Sequence, residues 1–360
     1  MKGPPLIQCV RDYDQDPLRS VATQFHLLDA VAEGRRPVTL YVYSLREDVA
    51  ALGRFHLAPE HRQGGLHRRI AGGRILPMGR GYAGIALLLP RRDSTIGGEV
   101  GSLSPARVMN RHVRGFLHGC RAVGIDPVYP GRDVVTVGKR IVASLALETD
   151  RRGAAVFDMV VAVSRTFAEL PAILDRADPE GIAMTRLATT EEATHLEVEL
   201  GRRLEFGELV ALVRRGFGDY LGCEVAPVQL DAADEREIDE RCGLLARAGG
   251  WVHGRSRTRD LAWRGSATGQ IGAIEVYFAE DGDVLQRVIS SGDFIANSAA
   301  LEILENRLAG CRRDAAEIDR VIAGVFSSVP AGAASCGANY LLGLGDGTPI
   351  RDAILRGERW

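Results

Sequence analysis

Arg68-Arg69-Ile70-Ala71-Gly72-Gly73-Arg74 joins a basic doublet to two adjacent glycines, and Gly79, Gly81 and Gly84 follow before the apolar run Ile85-Ala86-Leu87-Leu88-Leu89. Adjacent glycines let the backbone come close to a ligand and expose N–H groups to it. Arginines alongside can fork onto a phosphate or a carboxylate. The combination points to an anionic ligand held against a loop that feeds a strand. Glycine is common here, at 42 of 360 residues, so an ordinary Gly-rich turn is the competing reading.

Working outward, Asp16-Pro17 and Ser104-Pro105 each place a capping oxygen before a proline, which predicts two helix starts. The first helix extends through Val21, Phe25, Leu28 and Val31 to Gly34, and the second ends at Gly124. Val38 to Tyr43 reads as a strand. Val134 to Val137, Ile141 to Leu147 and Ala154 to Val163 read as consecutive antiparallel strands, split by Gly138-Lys139 and by Asp150-Arg151-Arg152-Gly153. Helices are expected at Phe167 to Leu174 and at Phe206 to Tyr220. The charged run Asp234 to Arg241 reads as a solvated helix face, with a domain boundary near residue 228. Beyond it, Gln270 to Phe278 and Val284 to Ser290 form a hairpin, then helices follow at Ser298 to Leu308 and Ala315 to Ala323. Strands and helices are segregated, without regular βαβ alternation, which is the pattern of α+β domains.

The bulk numbers exclude several classes. The chain is 46% hydrophobic and 26% charged, with a formal net charge of −2, so no bulk nucleic-acid or membrane binding is expected. No apolar run approaches membrane-spanning length, and Met1-Lys2-Gly3-Pro4-Pro5 does not read as a signal peptide. The six cysteines form no C-x-x-C pair, and the histidines show no H-E-x-x-H spacing, so no protein-held metal and no disulfide framework are expected. A reducing cytoplasm is the simplest expectation.

The order of motifs resembles the lipoate–protein ligase A family of the biotin and lipoate ligase superfamily. Val49-Ala50-Ala51-Leu52-Gly53-Arg54-Phe55 is similar to that family's apolar-Gly-Arg-aromatic segment, and Arg68 to Arg74 to its R-R-x-x-G-G loop. Gly131-Arg132-Asp133 followed by Gly138-Lys139-Arg140-Ile141 resembles its G-R-N-D…G-x-K-I signature. Trp251, Gly272-Ala273-Ile274-Glu275-Val276 and Gly292-Asp293-Phe294 resemble the small C-terminal accessory domain. The resemblance implies a class II synthetase-like catalytic domain with a mixed β-sheet over residues 1–228 and an α+β accessory domain over 229–327, leaving 328–360 unassigned. It also implies activation of lipoate with ATP and Mg2+ to lipoyl-AMP, then transfer to a lysine of a lipoyl carrier domain protein. The R-G-R-x-x-R-G-x-x-W loop of biotin ligases is lacking.

Several positions depart from the pattern. Ala71 stands where many members have a third glycine, Pro77 near an expected His, and Phe157-Asp158 at an expected His-His pair. Arg140 occupies the lysine position and Lys139 precedes it. Neighbours in a strand face opposite ways, so either Arg140 replaces the lysine or a bulge turns Lys139 inward. These two are the candidate catalytic residues. Arg69, Gly72, Gly73, Arg74, Asp133 and Ser144 are the candidate substrate- and nucleotide-binding residues, and Arg68 stands beside them. Asp133 is equally readable as a turn cap, and Ser144 as a packed strand serine. Asp158 is a candidate for a lost His contact, Cys120 reads as a core residue, and His253 as structural. The departures leave two alternatives open: an acyl transferase working from a thioester carrier without ATP, and a catalytically silent protein that binds a lipoyl or acyl ligand.

Overall fold

The structure is a computed structural model that describes residues 6–58, 65–92, 103–169, 187–247, 250–255, 260–326 and 339–359. In chain order, the described residues form β1 (Leu6–Gln15), α1 (Pro17–Ala32), β2 (Thr39–Leu45), β3 (Val49–Leu52), β4 (Leu66–Arg68), β5 (Leu76–Met78), β6 (Tyr82–Leu89) and α2 (Pro105–Arg121). Then come β7 (Pro127–Val128), β8 (Val134–Val137), β9 (Arg140–Thr149), β10 (Ala155–Ala162), α3 (Leu196–Leu200), α4 (Phe206–Leu221), β11 (Glu224–Pro227), α5 (Ala232–Ala246) and α6 (Gly250–His253). The last part holds β12 (Trp263–Thr268), β13 (Ala273–Asp281), β14 (Val284–Gly292), β15 (Ile295–Ala296), α7 (Ser298–Leu308), α8 (Ala315–Phe326), β16 (Leu341–Leu342), α9 (Thr348–Leu355) and β17 (Glu358–Arg359).

Both capped helix starts form as their sequences dictate. Asp16 accepts from the Leu18 and Arg19 amides, and Ser104 from the Arg107 amide. Of the helix expected from Phe167 to Leu174, residues 167–169 form a short 3-10 turn and the rest lies outside the described residues.

A mixed sheet in the order β11-β1-β2-β6-β10-β9-β8-β7 organises the larger unit. Its β8, β9 and β10 are consecutive antiparallel strands, and β1 runs parallel to both β2 and β11. Strand alternation sorts the two faces. Ile85, Leu87, Phe157 and Met159 point into a core with Val113 and Phe116 of α2 and Val213 and Phe217 of α4. Ala86, Leu88, Val156 and Val160 point the other way, into a core with Val21, Leu27 and Leu28 of α1. Burying each large aliphatic or aromatic side chain contributes roughly 1.5–3 kcal/mol. A three-stranded sheet, β4-β3-β5, carries the glycine loop between β4 and β5.

The smaller unit is a sheet in the order β14-β13-β12-β17, covered by α7, α8 and α9. Its tail is no longer unassigned: Ile350, Ala353 and Ile354 of α9 fill the core, and β17 completes the sheet edge. The boundary expected near residue 228 falls between β11 and α5. Helix α5 continues along the larger unit, where Asp234 bonds His26 of α1 at 2.7 Å and Arg36 at 2.5 Å. The smaller sheet begins at Trp263.

Candidate functional site

Arg68, at the end of β4, is 2% exposed and bonds backbone carbonyls only. Its guanidinium donates to Arg54 at 2.7 Å, His56 at 2.6 Å and Val252 at 2.7 Å. It therefore fastens the Gly53–His56 segment to α6. Its own carbonyl accepts from the Trp251 indole at 2.8 Å. Arg69 points the opposite way, as alternation requires, and is also 2% exposed. It donates to the Asp158 carboxylate at 2.9 Å, to the Gly72 carbonyl at 3.2 Å and to the Arg74 carbonyl at 2.7 Å. One buried guanidinium thus shapes the glycine loop and ties it to β10. Arg74 forks onto Asp133 at 2.5 and 3.3 Å, and the Asp133 carbonyl accepts from Ser144 Oγ at 3.2 Å.

The strand register shows what lies beneath the loop. Asp158 stands opposite Ala86 of β6 and Ala146 of β9. In the next inward row Val160 stands opposite Gly84 and Ser144, and on the other side Val156 stands opposite Leu88 and Glu148. Small residues therefore flank a buried carboxylate. Gly73 has φ +86, and a Cβ there would lie 3.6 Å from that of Ala146. The loop is thus seated directly over this row. Burial pushes the Asp158 carboxyl up, while Arg69 and the Met159 N–H pull it down. Asp158 Oδ1 and Arg69 Nε have no hydrogen-bond partner.

The smaller unit closes over the same loop. The Gly73 amide donates to the Phe294 carbonyl at 2.6 Å. Phe55 and Phe294 stack at 5.1 Å with planes 2° apart. A Cβ on Gly72 would come within 2.5 Å of the Phe294 carbonyl oxygen, so only glycine permits this approach. His56 Nε2 lies 3.2 Å from Asp293. On β9, Glu148 Oε1 accepts from the Ser298 amide at 3.0 Å and its hydroxyl at 2.8 Å, capping α7 across the interface. Burial pushes the Glu148 carboxyl up to about 7, against Arg54 and the two Ser298 donors, and Oε2 has no partner.

The other candidates lie elsewhere. Gly138 and Lys139, with φ +54 and +71, are the two-residue turn joining β8 to β9, which fits a right-twisted hairpin. Lys139 is exposed at that tip and belongs to neither strand. Arg140 opens β9 and pairs with Glu199 of α3 at 2.6 Å. Arg140 and Ala146 are six residues apart on one strand, so about 20 Å separates the hairpin tip from the glycine loop. Cys120 is fully buried in the core of the larger unit, and burial pushes its thiol up to about 12. His253 ends α6, next to the Val252 carbonyl that holds Arg68.

Sequence reading did not single out Glu148 or His56. Glu148 carried a usable signal: in an apolar strand it has the parity of Ser144 and Ala146, so it shares their face. His56 carried none, because its partner Asp293 is distant in the chain.

The residues do not fit a magnesium ion held by the protein. Asp133, the ligand candidate offered by the sequence, has both carboxylate oxygens on Arg74, and no cluster of three or more His, Cys, Asp or Glu side chains suited to a metal occurs among the described residues. No helix of the described residues is long and apolar enough to cross a membrane.

A glycine loop over a mixed sheet, closed by a second α+β unit, defines the class of fold. No protein-family model matches the sequence, and no curated protein matches it. Solved structures narrow the class: the chain has the fold of the lipoate–protein ligases. Plasmodium falciparum LipL1 in complex with lipoate superposes with a TM-score of 0.66 at 11% identity, over 90% of this chain and 94% of that one. A lipoate–protein ligase A bound with ATP gives 0.54 at 12% identity, over 70% and 99%. The bi-partite lipoate protein ligase of Thermoplasma acidophilum, studied with its E2 lipoyl domain, gives 0.56 at 15%, over 71% and 99%.

Proposed function

We propose that this chain is a lipoate–protein ligase-like enzyme. It takes lipoate or a related acid beneath the glycine loop, activates it with ATP to an acyl-adenylate, and passes the acyl group to a lysine of a lipoyl carrier domain. One observation carries the reading: the Gly72–Gly73 loop lies across β9 with the second unit closing over it, within a fold likeness that spans both units. Backbone N–H groups and arginines at such a place stabilise developing negative charge once they face it, and positioning supplies much of the remaining rate.

In this arrangement those groups are engaged. Arg69 holds Asp158, Arg74 holds Asp133, and the Gly73 amide holds the Phe294 carbonyl. A phosphate reaches them only by displacing a carboxylate or the second unit. This engagement favours a second reading, in which the chain works without ATP, either by transfer from a thioester carrier or by binding an acyl ligand without turnover.

Pyrophosphate release from ATP, measured with lipoate, octanoate or biotin present and followed by the mass of an added lipoyl domain, separates the readings. The first expects acid-dependent release and a heavier domain. Acyl transfer from a loaded carrier without nucleotide, or tight acid binding with no release, favours the second. No release with any acid removes adenylation.

A further inference from the structure

Asp158 is the least expected group at this site. It is 1% exposed, and its two oxygens have different fates: Oδ2 accepts from Arg69, while Oδ1 has no partner. Glu148 has the parity of Asp158's partner Ala146 and stands two residues along β9, so the two carboxylates are diagonal neighbours on one face, roughly 7–8 Å apart at their Cα atoms. Its Oε2 is also without a partner. Two buried acceptors thus face the same side of the sheet, beside Ala86 and Ala146 and under the glycine loop. A buried carboxylate oxygen lacking a donor carries a desolvation cost. Meanwhile Arg69 is paired with Asp158 through one terminal nitrogen, and its Nε is a buried donor without a partner.

We propose that Asp158 is a specificity-determining residue, and that the acid bound beneath the glycine loop carries an O–H or N–H donor that meets Asp158 Oδ1. This rests on the reading that an acid binds there, and it names the class: a medium-chain carboxylic acid with a hydroxyl or amide group on its chain, in preference to one with a purely apolar tail. The acid enters when the Gly73–Phe294 contact opens. Its donor then supplies the hydrogen bond that Oδ1 lacks, and an apolar tail leaves Oδ1 buried and unmet.

Calorimetric titration of the full chain with octanoate and with 8-hydroxyoctanoate, which differ by one hydroxyl, tests this directly. The hydroxy acid is expected to bind at least about tenfold more tightly, as a hydrogen bond to a charged group implies. The double variant Arg69→Met with Asp158→Leu removes both members of the buried pair, an exchange that leaves such folds intact more often than breaking one partner. With its fold checked by circular dichroism, it is expected to bind the two acids within twofold of each other. Equal binding of both acids by the native chain overturns the proposal, as does a preference that survives in the folded double variant. If neither acid binds the native chain, the acid-handling reading falls as well, so the two failures are told apart by octanoate alone.

Discussion

The glycine loop and the hairpin tip at Gly138-Lys139 carry the same kinds of residue and are built in opposite ways. At the loop, Arg68 and Arg69 are buried and their terminal guanidinium nitrogens are held by partners in this chain. At the tip, Lys139 stands in solvent and Arg140 is 43% exposed along its side chain in its pair with Glu199. Burial decides the difference. A charge taken out of water requires partners at once, whereas a solvated one does not. Cations next to glycine therefore do not identify a ligand site by themselves.

The sharpest way to break the contrast is to remove one carboxylate from each region. Asp158→Ala leaves Arg69 buried and uncompensated and is expected to cost about 3–5 kcal/mol in chemical denaturation. A cost below 1 kcal/mol would mean that water reaches the loop floor. Next in size is the pH response of Glu148. Its carboxyl is raised to about 7 in the folded chain from an ordinary 4.5, so the native state holds the proton more tightly. Its contribution is full below about pH 4.5 and is lost as pH rises through 7, roughly 3 kcal/mol in all. Glu148→Gln should flatten that slope in unfolding curves taken from pH 5 to pH 8, and an unchanged slope would assign it to other groups.

A smaller effect follows from crowding. Gly72→Ala puts a methyl against the Phe294 carbonyl and the Phe55 ring and should cost about 1–3 kcal/mol. Limited proteolysis should then cleave between the two units faster than in the native chain. The least effect belongs to the tip. Glu199→Ala is expected to cost at most about 1 kcal/mol, and Lys139→Gly to be neutral or slightly stabilising, because φ +71 suits glycine. If Lys139→Ala abolished turnover measured by pyrophosphate release, the tip would reach the reacting atoms in another state and the contrast would fail.

Local rules carried much of the fold. Asp16-Pro17 and Ser104-Pro105 specify their helices within four residues, and the β13–β14 hairpin is written in its own turn. Helix α9 was legible in principle from Ile350, Ala353 and Ile354, but the glycine and alanine around it hid the period. The site was less legible because its pairings are non-local. Arg69 and Asp158 are 89 residues apart, and only the register of β6, β10 and β9 brings them together. The turn conformation of Lys139 ran against the preference of a long side chain for negative φ. The closure over Gly73 by Phe294 depends on how two units dock, which no single segment encodes.

Trp251 gives this architecture an optical consequence. Its indole bonds the Arg68 carbonyl, its ring meets Phe25 edge-on at 5.1 Å, and the Arg54 guanidinium lies 5.1 Å above it. It is one of three tryptophans in the chain, and Trp263 is stacked on Phe278 in the smaller unit. With Trp263 and Trp360 replaced by Phe, its emission wavelength and quenching by acrylamide would follow any loosening of the segment that leads into the loop, in real time and without a label.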